Sequence, residues 1–204
     1  MGSLRITSPA AVVTLLMPIA IFGFPDTSRA ENLLSNPGFE NPAISVGTDS
    51  DTHPDNWEVF TGGTAPTIGL SSVSARSDKQ SVRFVGQDTA SFFQGIYQDH
   101  AATAGKTYHF SVFAQNDVVN PLKSSTTGQL SIEWKDGSDA EIKREWGPTW
   151  GTSLSSTNWT RFEMSATAPP HAAHARFVIV EHGGDQPVAG GVFLVDDASA
   201  EQVP

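Results

Sequence analysis

The sequence predicts an all-β chain: a jelly-roll β-sandwich of two antiparallel sheets. Three observations carry this expectation. Beyond residue 30, short apolar alternations recur between clusters of Ser, Thr, Gly, Asn and Asp, the spacing of a sandwich or jelly roll. No window of eleven or more residues in that region shows helical periodicity. There is no repeat, long charge block or low-complexity linker among the 204 residues, so the apolar runs belong to one core.

The clearest strand covers residues 108–115. Tyr108, Phe110, Val112 and Ala114 share one face, and His109, Ser111, Phe113 and Gln115 the other. A second strand is read at 130–134, with Leu130, Ile132 and Trp134 on its core side. Asp136 and Gly137 then make a hairpin turn, and 141–146 is the return strand. A third strand, 159–166, places Trp159 at core parity and is ended by Pro169 and Pro170. Residues 175–182 are apolar on both faces, the mark of a central strand. The last strand is 192–198, and weaker ones are read at 81–85 and 92–98.

The first thirty residues are set apart from the fold. Arg5 precedes an apolar run at 10–24, Pro25 and Asp26 break it, and Ser28-Arg29-Ala30 offers small residues at a cleavage site. This is the pattern of a secretory signal; the run is shorter than the roughly 20 residues that span a bilayer. The expected mature chain, 31–204, is a single domain carrying ten basic and 21 acidic side chains, a formal charge of −11. That charge argues against nucleic acid and anionic membranes as partners and favours a neutral glycan over a strongly anionic one. The chain has no cysteine, which excludes disulfides, thiolate metal sites and a cysteine nucleophile. The expected location is extracellular or periplasmic, where Asn158-Trp159-Thr160 would be a glycosylation acceptor in a eukaryotic pathway.

Several motifs, in order, resemble one family. Residues 32–40 read NLLSNPGFE, and Trp57 follows after a loop. Tyr97-Gln98 precedes GKTYHFS at 105–111; WTRF stands at 159–162, APPHAAHARF at 168–177 and GVFLVDDAS at 191–199. The set resembles carbohydrate-binding modules of families four and nine, which are galactose-binding-domain-like jelly rolls. The resemblance implies a structural calcium ion between the opening and closing strands. Its ligands would be the Glu40 and Asp196 carboxylates, the Gly38 carbonyl and a turn at 77–79 that includes Lys79. Hard oxygen ligands of this kind suit Ca²⁺. Asp49, Asp51 and Asp55 lack EF-hand spacing and are read as a solvated loop.

In such modules the sugar lies on the concave face of one sheet, aromatic rings against its C–H face and polar groups around it. Strand parity nominates Phe93, Tyr97 and Phe113 as the platform, with Gln115, Glu133 and His182 as polar partners. The segment 146–150, read as turn-rich, adds Trp146 and Trp150 as an exposed aromatic edge.

Catalysis is not expected. Glu133, Asp136, Asp139, Glu141 and Glu145 are close in sequence, but Glu133 and Asp136 have opposite parity, and a glycosidase needs two carboxyls facing one bond. No Gly-x-Ser-x-Gly elbow or His-Glu-x-x-His motif occurs. His171 and His174 are read as solvated, and Gly183, Gly184, Gly190 and Gly191 as hairpin glycines. The expected function is non-catalytic recognition of a polysaccharide or cell-surface glycan. The alternatives are an adhesive matrix protein using the same fold for protein contacts, or a small glycoside hydrolase or polysaccharide lyase.

Overall fold

A computed structural model describes residues 1–2, 31–63, 65–87, 89–123, 125–185 and 190–203. Residues 3–30 of the expected secretory signal, 1–30, lie outside the described residues. The described chain is all-β: eleven strands and no helix. They are β1 Asp49–Ser50, β2 Glu58–Gly62, β3 Ile68–Ser71, β4 Ser81–Val85, β5 Phe93–Ala101, β6 Thr107–Asn116, β7 Thr127–Lys135, β8 Glu141–Trp150, β9 Thr160–Thr167, β10 His174–His182 and β11 Val192–Val203.

They form two antiparallel sheets, as the alternation predicts. One has six strands in the order β1-β3-β4-β11-β6-β9, the other five in the order β2-β5-β10-β7-β8. Period-two side-chain alternation sorts each strand into an inner and an outer face. Phe84 and Phe193 stack at 4.7 Å on the inner face of the larger sheet. Phe110 of that sheet meets Phe177 of the smaller one at 5.3 Å, and Tyr108 meets Trp134 at 5.6 Å. All of these rings are buried, and their burial supplies the main drive for closing the sandwich.

The opening segment is tied to the closing strand without being a strand itself. Leu33 N–H donates to the Ala200 carbonyl at 2.8 Å, and Asn32 bonds the backbone at Ala198 and Ala200. Trp57 packs on Phe39 at 5.2 Å and donates its indole N–H to the Asn36 carbonyl. These contacts close one end of the core.

Three expectations change. The segment 146–150 is not a turn: β8 runs through Gly147 and Pro148, and Trp150 pairs with Gly128. Pro148 is tolerated because β8 is an edge strand bonded only to β7. Asp49 is not in a free loop; it lies in β1 and pairs with Arg83 at 2.9 Å. His174 opens β10 opposite Ala101 and Lys135, and its Nδ1 is buried.

Candidate functional site

The outer face of the five-stranded sheet carries a cleft of about 490 Å³. Strand alternation builds it. On β10, Ala175, Phe177, Ile179 and Glu181 point inward and are fully buried, while Arg176, Val178, Val180 and His182 point into the cleft. The register aligns Arg176 with Glu133 and Val178 with Ser131 on β7. Val178 and Val180 make an apolar floor strip, flanked by the polar side chains of β7.

Two walls rise from this floor. On the β2–β5 side, Phe60 lies 6.3 Å from Phe93 and 6.0 Å from Tyr97, ring to ring. Gly95 sits opposite Phe60 and makes room for it: a Cβ there would fall 2.4 Å from the Phe60 ring and 2.6 Å from the Ile179 carbonyl oxygen. On the β8 side, Trp146 pairs with Ser131 across the ladder, and its ring meets His182 edge-on at 5.8 Å. Trp146 is half exposed.

The charged groups of the cleft are matched. Arg176 is held by both oxygens of Asp99, at 2.8 and 2.7 Å, and lies 3.7 Å above the Tyr97 ring. The hydrogen bond to Asp99 raises Arg176 above its ordinary value. Burial pushes Asp99 the other way, but the bond and charge of Arg176 outweigh it and hold Asp99 below its usual value. Arg144 spans Glu133 at 2.9 Å and Glu141 at 2.7 Å. Lys135 Nζ reaches Asp139 at 3.0 Å. Burial raises Glu133 above the ordinary carboxylate value despite Arg144, whereas burial and the Arg144 charge both lower His182.

Two polar atoms on this lining are buried without a partner, Ser131 Oγ and His182 Nε2. A second cavity of about 590 Å³ shares Tyr97, Arg176 and Asp139 with the cleft and continues past the Arg176–Tyr97 stack toward Glu58 and Ser35.

Of the expected ligand residues, the structure brings Phe93, Tyr97, Glu133, Trp146 and His182 together on this face. It separates the other three, and their placement is corrected. Phe113 and Gln115 belong to β6, in the six-stranded sheet, so the face opposite their core side is the far surface of the sandwich. There Arg76 covers the Phe113 ring at 3.5 Å, and Gln115 is buried, accepting a bond from Ser74. Trp150 points inward and packs on Phe162 at 4.8 Å and on Phe193 at 5.6 Å. Alternation defines the two faces of a strand but not which sheet the strand joins. Phe60, Ser131, Arg144 and Arg176 were not singled out. Arg144 and Arg176 had a signal: each stands at a position of its strand that faces away from the core.

Of the residues expected to hold calcium, Glu40 and Asp196 both meet the turn that carries Lys79. Glu40 Oε1 accepts the N–H groups of Lys79 and Gln80 at 3.0 and 2.9 Å. Asp196 is fully buried; its Oδ2 accepts from Arg76 and Ser77 at 2.8 and 3.1 Å, and its Oδ1 from Asp197 at 2.7 Å. The two carboxylates thus hold opposite ends of one turn, 76–80. Burial, reinforced by Asp197, pushes Asp196 up to about 7. Among the described residues no three His, Cys, Asp or Glu side chains converge as a ligand group. Carboxylate oxygens are donors of the type a hard cation takes, but those of Glu40 and Asp196 already accept backbone N–H groups, and the shell fits only if backbone carbonyls complete it.

No family model and no curated protein sequence matches this chain. Solved structures do resemble it in fold. One is TmCBM61 in complex with β-1,4-galactotriose, at 17% identity and TM-score 0.55, covering 85% of this chain and 100% of that one. The CBM22-2 xylan-binding domain from Paenibacillus barcinonensis Xyn10C follows at 16% identity and TM-score 0.53, covering 78% and 100%. The enzymatically active domain of bacteriophage CBA120 tailspike protein 4 has TM-score 0.57 and 17% identity; the match covers 84% of this chain but 21% of the tailspike chain. The chain therefore has the jelly-roll fold of carbohydrate-binding modules. The two carbohydrate-binding neighbours are of families 61 and 22, and the likeness to families four and nine rests on the sequence motifs.

Proposed function

We propose that this chain is a secreted, non-catalytic carbohydrate-binding protein that recognises a polysaccharide or cell-surface glycan through the cleft on its five-stranded sheet. The observation that carries the reading is the cleft's cross-section. Phe60, Phe93 and Tyr97 face Trp146 across an apolar floor edged with hydrogen-bonding groups. Aromatic surface beside convergent polar groups is the arrangement that holds a sugar ring by its C–H face and its hydroxyls. The fold neighbours support it, since TmCBM61 was solved in complex with β-1,4-galactotriose and the family-22 domain is a xylan-binding domain.

A structural calcium ion at Glu40 and Asp196 is part of the proposal. It would hold the opening and closing segments to the turn at 76–80, and it would relieve the burial of Asp196 beside Asp197.

The test is an intrinsic tryptophan fluorescence titration of the mature protein with a panel of oligosaccharides. A saturable shift that Trp146→Ala weakens by about tenfold, close to 1.4 kcal/mol, supports the reading. A folded protein silent to every sugar overturns it and favours the adhesive alternative.

One observation favours a second reading, a small glycoside hydrolase or lyase: Glu133, raised by burial, shares the cleft with Glu141 and Asp139. Against it, Arg144 bridges Glu133 and Glu141. Product release from a bound glycan that is lost in Glu133→Gln would establish that reading.

A further inference from the structure

Every cation in the cleft already has its carboxylate: Arg176 has Asp99, Arg144 has Glu133 and Glu141, and Lys135 has Asp139. An anionic ligand would have to break one of these pairs and leave the displaced carboxylate beside it. Glu133 is buried, and a buried charge stripped of its partner is costly; at the more exposed Asp99, Glu141 and Asp139 the displaced carboxylate repels the incoming anion. A neutral ligand can use the same side chains as hydrogen-bonding groups with the pairs intact.

The cleft also holds two buried polar atoms with nothing to bond. Six such side-chain atoms occur among the described residues, and two of them, Ser131 Oγ and His182 Nε2, belong to residues that line the cleft. Both adjoin Trp146, Ser131 as its ladder partner and His182 at 5.8 Å ring to ring. A buried polar atom left without a partner is destabilising. That cost is recovered if a shift of the Trp146 side chain, on an edge strand and half exposed, lets a ligand group reach them.

Resting on the carbohydrate reading above, we infer that Ser131 Oγ and His182 Nε2 are hydroxyl-reading positions of a specificity-determining subsite under Trp146, and that its ligand is an uncharged glycan rather than a uronate-containing one. The indole moves aside to admit the sugar hydroxyls and then lies against the ring.

The experiment is calorimetric and tryptophan-fluorescence titration of the mature protein. The neutral probes are β-1,4-galactotriose, xylohexaose and gluco- and manno-oligosaccharides; the charged probe is trigalacturonate. Ser131→Ala and His182→Phe are measured in parallel, the latter keeping an aromatic ring against Trp146. The expected result is saturable binding of a neutral probe that each variant weakens about tenfold, with thermal midpoints no lower than wild type. A serine of merely structural value would lower the midpoint instead. Equal affinity in the variants, or tighter binding of trigalacturonate, overturns this inference and leaves carbohydrate binding intact. No response of the wild type to any probe overturns both.

Discussion

Glu181 Oε2 accepts a 2.6 Å hydrogen bond from Gln94 Nε2 between the two sheets, while Glu181 Oε1 is buried with no partner. Burial, only partly offset by Gln94, lifts this carboxyl from 4.5 to about 8. The folded state therefore favours the protonated acid, and the unfolded chain does not. Stability from this residue is fully present below pH 4.5 and is lost as pH rises toward 8. Glu181→Gln should be nearly neutral at pH 4 and stabilising by on the order of 1–3 kcal/mol at pH 8.5. Thermal unfolding from pH 4 to 9 reads this; equal slopes for variant and wild type would refute it.

The Asp196 carboxylate makes an opposite demand if a cation is bound. Without one, its raised value of about 7 means that stability declines as pH rises between 3.8 and 7. A bound calcium ion would favour the ionised form and add stability by mass action. Chelation should thus lower the thermal midpoint at pH 8 more than at pH 5, and Asp196→Asn should abolish the difference. A midpoint at pH 8 that does not respond to chelator removes calcium from the account.

Gly95 leaves space for the Phe60 wall. Gly95→Ala would drive a methyl into the Phe60 ring and the Ile179 carbonyl oxygen, and the latter is backbone with no rotamer to change. The expected loss is about 1–3 kcal/mol. Chemical denaturation measures it; an unchanged midpoint would show that β2 and β10 both give way.

Arg176 covers the Tyr97 ring because Asp99 holds it there. Asp99→Asn should cost less than about 1 kcal/mol in stability, since the pair is partly exposed. It should cost several-fold in sugar affinity, because the guanidinium is no longer held over the ring. Tighter binding after the substitution would mean that the pair blocks the site.

The two-sheet sandwich was legible from alternation; β4, β6, β9 and β10 begin and end within a residue of where the pattern places them, whereas β5, β7, β8 and β11 run three to five residues further at one end. The separation of Phe113 from Phe93 and Tyr97 was not. It depends on β6 pairing with β9 and β11, a long-range choice that local periodicity does not encode. The continuation of β8 through Gly147 and Pro148 was hidden for a different reason: both residues signal a turn unless the strand is known to be an edge. The salt bridges of Arg144 and Arg176 became visible only once the register of β7, β8 and β10 set charges opposite one another.

On β10 the even-numbered side chains from Arg176 to His182 make the cleft and the odd-numbered ones make the core. Recognition and folding are thus written on one strand in alternating positions. Substitution at 176, 178, 180 or 182 can alter what the surface recognises while the interior keeps its packing. Insertion or deletion of one residue in this strand would exchange the two sets, turning Phe177 and Ile179 to water and Arg176 to the interior. New ligand preferences are therefore open to this fold by point change along β10, and closed to it by change of length there.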